Sequence, residues 1–220
     1  MRTALITGAS RGIGAAITEI LLSAGYQVLT PSRTELDLLS EESITAYLSS
    51  LNRPIDILVN DAGINHIAGL ENIRSQDLTD TMQVNLLAPF HLAQSLAPQM
   101  KTRRYGRIVN ISSILSVISR AGRTSYSISK TALNGMTRSL AVELAPFNIL
   151  VNAIAPGYVL TDLTRQNNSP EEIEKIGQSI PLERLAEPQE IANVVAFLCS
   201  DQNTYLTGQT IIVDGGYTCL

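Results

Sequence analysis

Thr3-Ala4-Leu5-Ile6-Thr7-Gly8-Ala9-Ser10-Arg11-Gly12-Ile13-Gly14 decides how the rest of the chain is read. Thr3–Thr7 is a short apolar, β-branched run, the composition of a strand buried on both faces of a parallel sheet. Gly8, Gly12 and Gly14 then punctuate a turn. Beyond them apolar residues recur at helical spacing, at Ile13, Ile17, Ile20, Leu21 and Ala24. The segment reads strand, glycine turn, helix. Glycines at such a turn let backbone approach a pyrophosphate, and the helix start offers N–H groups and a positive dipole end. A tight turn without any ligand satisfies the same pattern. Three residues separate Gly8 from Gly12, so the motif is not G-x-G-x-x-G.

Outward from this segment, strand-like and helical stretches alternate. The predicted strands are Thr3–Thr7, Gln27–Pro31, Ile55–Asn60, Gly106–Ser112, Ile149–Ala155 and Thr210–Val213. The predicted helices are Gly12–Ala24, Glu41–Leu51, Ser75–Met100, Ser125–Ala145, Ser169–Gln178 and Pro188–Cys199. Such alternation predicts an α/β fold, a Rossmann-like doubly wound parallel sheet with helices on both faces. Repeats and linker-like stretches are absent, so residues 1–220 read as one domain. After the second strand the chain passes through Ser32-Arg33-Thr34 into Leu36-Asp37-Leu38, read as the end of a third strand. Ser40 is the expected N-cap of the next helix, with Glu41 and Glu42 in its first turn.

At 220 residues and 45% hydrophobic, the chain is long enough to bury a sizeable core. A net charge of −4 and a pI of about 5.2 argue against nucleic acid or anionic membrane as partners. No apolar run has membrane-spanning length. Arg11 and the glycines interrupt any signal-peptide core, so a cytoplasmic protein is expected. Cys199 and Cys219 suggest neither a disulfide framework nor a metal site. His66 and His91 are too few for a metal cluster.

Tyr126 and Lys130 stand four apart, on one face of a predicted helix, and Ser113 lies thirteen residues before Tyr126. An ammonium beside a phenol favours the phenolate and is expected to lower a pKa of about 10. Ser113 follows a strand, at the end where ligands bind in open α/β sheets. Ser112 competes for the same role, but successive strand side chains point to opposite faces. Pro89 lacks an N–H, so the carbonyl of Asn85 loses its intrahelical bond and can hold a water. A simple proline kink explains the same residues.

Taken together, Thr7-Gly8…Gly12-Ile13-Gly14, Asn60-Asp61-Ala62-Gly63, Asn85, Ser113, Tyr126/Lys130 and Pro156-Gly157 resemble the short-chain dehydrogenase/reductase family, in its order and over nearly the whole chain. Within it the chain is most similar to the 3-oxoacyl-(acyl carrier protein) reductases. The resemblance implies a nicotinamide-dependent oxidoreductase that reduces a ketone, with Asn85, Ser113, Tyr126 and Lys130 catalytic. It implies cofactor contacts from Gly8, Ser10, Arg11, Gly12, Ile13, Gly14, Arg33, Asp37, Leu38, Asn60, Ala62, Gly63, Tyr126, Lys130, Pro156, Gly157, Val159 and Thr161. Arg11 and Arg33 sit where NADP users of the family carry basic residues, and guanidinium suits a 2′-phosphate, so NADP(H) is expected over NAD(H). The stretch from Asp162 to Ile180 reads as a flap over substrate.

The family normally places a further helix and most of a strand after Arg33, so that side of the sheet is predicted to be shortened. It also usually has asparagine where this chain has Asp61, a change conservative in shape. Arg104 and Arg165 match positions where the resembled reductases face an acidic carrier protein. A 3-oxoacyl thioester is thus one substrate reading; another small ketone, sugar or secondary alcohol is the other. A non-catalytic NADP(H)-sensing module is a remote third. The family also implies a homotetramer.

Overall fold

Thr3–Thr7 forms β1, buried at all five positions. Ala4 and Ile6 face one side of the sheet and Leu5 the other, as strand alternation requires. The computed structural model describes residues 1–220, the side chains of Leu163 and Asn167 excepted. In chain order the elements are β1, α1 (Gly12–Ser23), β2 (Gln27–Leu29), α2 (Glu41–Ser50), β3 (Ile57–Asn60), α3 (Ser75–Met82), α4 (Ala88–Arg103), β4 (Gly106–Ile111), α5 (Thr124–Leu144), β5 (Ile149–Pro156), α6 (Asp162–Asn167), α7 (Pro170–Gln178), α8 (Pro188–Cys199) and β6 (Thr210–Val213).

The six strands are all parallel, in the order β2-β1-β3-β4-β5-β6. The chain first runs from β1 outward to β2, then returns to build β3 on the other side. That reversal creates a crevice at the C-terminal ends of β1 and β3, the ligand position of open α/β sheets. Ile6, Ile57 and Val59 pack beneath Ile17 and Leu21 of α1 and Ile191, Val195 and Leu198 of α8. Leu5, Leu58 and Ile108 pack on the opposite face against Leu92, Leu96 and Met100 of α4 and Leu144 of α5. Burying each such side chain is worth about 1.5–3 kcal/mol against leaving it exposed.

The shortened edge is present, but Leu36-Asp37-Leu38 is not a strand. The chain leaves β2 early, since Pro31 has no N–H for a ladder. It then turns at Ser32, whose carbonyl accepts from Glu35 and Leu36 N–H. Leu36 enters the core as a buried turn residue beside Ile44. Asp37 N–H donates to Ser43 Oγ at 2.9 Å instead of to a neighbouring strand. Ser40 caps α2 as its sequence predicts, accepting from Ser43 N–H at 3.1 Å.

The predicted helix Ser75–Met100 is three segments. Between α3 and α4 the residues Gln83–Leu87 form a π turn, and Ala88 N–H reaches back to Gln83 O. This wider turn absorbs Pro89, which sits in the first turn of α4, where its missing N–H costs nothing. The predicted Ser169–Gln178 helix begins at Pro170, with Ser169 and Glu172 closing a reciprocal capping box.

Candidate active site

The C-terminal ends of β1, β3, β4 and β5 deliver Gly8, Asp61, Ser113 and Gly157 to one crevice. Gly8 holds φ +77°, and a Cβ there would lie 2.6 Å from Ala62 N and 2.8 Å from Ala62 Cα. A Cβ on Gly14 would lie 2.5 Å from Gly8 O and 2.6 Å from Asp61 Oδ2. Glycine is therefore what lets the loop close onto the end of β3 while α1 begins immediately behind it. Ala62 N–H also donates to Thr7 Oγ1 at 3.3 Å. Thr161, the N-cap of α6, lies over Gly12, whose added Cβ would meet Thr161 Cγ2 at 3.2 Å. A Cβ on Gly157 would strike Asp214 Cα at 2.8 Å.

This backbone cradle fits a dinucleotide. The start of α1 (Gly12, Ile13 and Gly14) carries N–H groups without intrahelical acceptors, and Ser10 and Arg11 stand exposed at its mouth. Asn60 is fixed in the sheet, its Nδ2 donating to Asn110 Oδ1 at 2.8 Å. Gly63 lies open beside Lys130 and Asn85: a Cβ there would sit 3.5 Å from Lys130 Nζ and 3.3 Å from Asn85 Oδ1. Arg33 and Asp37 lie past β2 as an exposed pair 3.9 Å apart. Leu38 is half-buried, and its carbonyl accepts from Gln83. Pro156 ends β5, and buried Val159 bridges to Ala186.

Of the two serines after β4, Ser112 is buried and donates to the Lys130 carbonyl at 3.3 Å. Ser113 is only half-buried and interacts with the Tyr126 phenol. Tyr126 and Lys130 share one face of α5, with the ammonium 5.6 Å from the ring centroid. Lys130 Nζ donates to the Ile111 carbonyl at 2.6 Å. Asn85, in the π turn, is buried and clamps the segment after β3. Its Oδ1 accepts from Ile64 N–H, and its Nδ2 donates to Ile64 O and to Ser129 Oγ.

On balance the Tyr126 pKa is raised, with the Lys130 ammonium 5.6 Å from its ring centroid. Burial pushes the phenol up to about 12, and the Asp61 charge adds to the rise. Ser113 and the Arg123 guanidinium oppose it. Burial brings Lys130 down to about 8, with Asp61 opposing. Asp61 is itself raised to about 7 by burial, held back by Lys130 and by the Gly14 N–H. Asp61 is therefore a titrating member of the site, which its likeness in shape to asparagine concealed. Arg123 was also missed; the visible signal was two arginines, Arg120 and Arg123, in the short loop between Ser113 and Tyr126.

Arg104 and Arg165 are not brought together. Arg104 precedes β4 and donates to Pro146 O, while Ser113 follows that strand, whose 6 residues alone span roughly 20 Å at about 3.3 Å per residue. Arg165 lies in α6 and donates to Leu160 O. Cys199 is buried, with its thiol pushed up to about 12, and Cys219 is exposed. Among the described residues no helix is long and apolar enough to cross a membrane.

A parallel sheet whose strand ends gather a glycine cradle, a serine, a tyrosine and a buried lysine defines a nicotinamide-dependent oxidoreductase acting on CH–OH or C=O groups. A family model described as "Enoyl-(Acyl carrier protein) reductase" matches residues 32–218. The 3-oxoacyl-[acyl-carrier-protein] reductase FabG of Aquifex aeolicus is 41% identical, covering 98% of this chain and 96% of its own. That alignment runs over 241 positions, more than the 220 residues here, so the relative carries residues without a counterpart. Among solved structures, 4-hydroxyisoleucine dehydrogenase complexed with NADH is 30% identical with TM-score 0.94, all of both chains being covered. A Beutenbergia cavernae structure with bound NADP at low occupancy is 34% identical with TM-score 0.94, covering 100% of this chain and 97% of that one. The chain belongs to the short-chain dehydrogenase/reductase family.

Proposed function

We propose that the protein reduces the ketone of a 3-oxoacyl thioester to a secondary alcohol with NADPH. The observation that carries this reading is the convergence of Ser113 and Tyr126 on the glycine cradle, with Lys130 buried behind them. A bound nicotinamide cofactor supplies the hydride. Ser113 and Tyr126 donate hydrogen bonds to the substrate carbonyl oxygen. Tyr126 passes its proton to that oxygen as negative charge develops. With the phenol raised to about 12, Tyr126 is protonated at neutral pH, the state a proton donor needs. Lys130 steadies the phenolate left behind and holds the nicotinamide ribose. Asn85 holds the water that restores the proton.

Asp61 sets the pH range of this chemistry. Its negative charge supports the protonated form of Lys130, so removing it lets the lysine lose its proton sooner. Asp61→Asn is expected to move the alkaline limb of the kcat/KM profile to lower pH, by about one unit. Initial rates from pH 6 to 10 in both proteins check this; an unmoved limb removes Asp61 from the role.

The NADPH preference rests on Arg11 and Arg33. The Arg33 ion pair with Asp37 is long and exposed, leaving guanidinium N–H groups for a 2′-phosphate. Hydrogen bonds to charged groups are worth about 1.5–3 kcal/mol. Arg33→Ala is therefore expected to raise KM for NADPH by about tenfold or more and to change that for NADH by less than about twofold. The thioester reading is supported by the carrier-protein reductase of Aquifex aeolicus among the relatives. Arg104 and Arg165 can serve one carrier only if two copies of the chain contribute. Exposed Phe90, Val142, Phe197 and Ile212 suit the faces of a homotetramer, which sedimentation measures. The deciding assay is NADPH consumption with acetoacetyl-CoA, with NADH alongside. Turnover with NADPH supports the reading; bound NADPH without turnover redirects it to other small ketones or secondary alcohols.

A further inference from the structure

The loop between Ser113 and Tyr126 carries two guanidiniums, Arg120 and Arg123, that pair with no carboxylate among the described residues. Arg123 precedes α5, half-buried. Burial and the charge of Arg120 both work against its own charge, and only the phenols of Tyr126 and Tyr158 favour it. Arg120 Nη1 reaches Tyr158 OH at 3.5 Å. Beside them opens a cavity of about 370 Å³ lined in part by Leu115, Ile118, Arg120, Tyr158, Lys175 and Tyr217. Tyr158 and Tyr217 meet edge to face, with centroids 5.4 Å apart. The cavity thus receives one cation from the catalytic loop and another from α7. Among the described residues no carboxylate lines it or comes within 4 Å of Arg120, Arg123 or Lys175.

Like charges held together, one of them half-buried, are unfavourable until an anion joins them. Guanidiniums are suited to gripping a carboxylate in a planar fork. Leu115 lies two residues after Ser113, and Arg123 three before Tyr126. The cation cluster therefore borders the place where a substrate carbonyl sits, and the cavity is near the small end for ligand sites. A thioester places no charge next to its ketone and leaves these cations without a partner.

We propose that this cavity binds the carboxylate of a short free oxo acid, giving the enzyme a second substrate class. Arg120 and Lys175, the two cations that line it, hold the carboxylate, with the charge of Arg123 close to Arg120, while Ser113 and Tyr126 hold the ketone. In the balanced step the C=O π bond breaks. A C–H bond forms with the hydride of the reduced nicotinamide, which is oxidised, and an O–H bond forms with the Tyr126 proton. The product is a hydroxy acid. This inference rests on the ketone-reductase reading of Ser113 and Tyr126.

The test measures NADPH and NADH oxidation by the intact protein with acetoacetate and 4-oxopentanoate, against their methyl esters. Acetoacetyl-CoA and the phosphate-free acetoacetyl-N-acetylcysteamine thioester run in parallel. The expected result is a kcat/KM at least about tenfold higher for the acids than for the esters. Arg120→Gln and Lys175→Gln should each collapse that preference toward one, through KM for the acid rather than kcat, and Arg120→Lys should restore part of it. Equal rates for acids and esters, or a preference indifferent to both substitutions, overturns the proposal. So does loss in these variants of acetoacetyl-CoA turnover alone, which would assign the two cations to the carrier's phosphate. Turnover of no ketone with either cofactor overturns the ketone-reductase reading and the proposal with it, whereas thioester turnover without acid turnover overturns the proposal alone.

Discussion

Tyr126→Phe is expected to lower kcat by about 10²–10⁴-fold, the range for a positioned proton donor, while NADPH binds within about twofold of its normal affinity. The substitution removes only the phenolic oxygen. The ring stays on its face of α5, Lys130 keeps its hydrogen bond to the Ile111 carbonyl, and Gly8, Gly12 and Gly14 are untouched. What disappears is the phenol beside Ser113, which carries a proton at neutral pH. Stopped-flow binding of NADPH, with steady-state kcat on the best ketone, separates the two effects. Near-normal turnover would remove Tyr126 from the chemistry. Turnover absent from both proteins, with NADPH bound, would mark a sensing module instead.

Gly8→Ala is expected to destabilise the protein by about 2–5 kcal/mol, combining a left-handed backbone with overpacking. At this size the Tm falls by roughly 5–15 °C. The φ of +77° is one part of the cost, and the new Cβ adds a clash with Ala62 N and Cα, backbone that belongs to the end of β3. Relief requires the loop to lift, which moves the α1 N-terminus away from the crevice and should weaken NADPH binding by at least about tenfold. Gly25→Ala is the control. That residue has φ +84° with nothing within 4 Å of an added Cβ, so it should lose only about 1–2 kcal/mol and leave nucleotide affinity alone. Thermal unfolding and nucleotide fluorescence of the two variants distinguish strain from clash. Equal losses at the two positions would refute the close approach at Gly8.

Most element types were legible because each follows from local pattern. Thr3–Thr7 and Thr210–Val213 are strands at their predicted bounds, and Pro188–Cys199 is the predicted helix. Where pattern failed, the cause was a choice that local chemistry leaves open. Leu36-Asp37-Leu38 has the apolar-polar-apolar alternation of a strand, but a buried turn places Leu36 in the core equally well. Ser75–Met100 is helical in periodicity throughout, and the π turn at Gln83–Leu87 shows only through Pro89. The proposed catalytic set was legible because Ser113, Tyr126 and Lys130 are close along the chain, on a strand end and one helix face.

The sequence by itself determined the order of strands and helices, the glycine cradle and the candidate catalytic side chains, because these depend on periodicity, backbone freedom and residue type. Only the tertiary structure decided their charges. Asp61 rises to about 7, Lys130 falls to about 8 and Tyr126 rises to about 12 because packing from β1, β3, β4 and α5 buries Lys130 and takes much of the water from half-buried Asp61 and Tyr126. Likewise the Arg123 guanidinium favours the Tyr126 phenolate. Desolvation and charge proximity are set by which distant segments meet, and no local pattern along the chain encodes them.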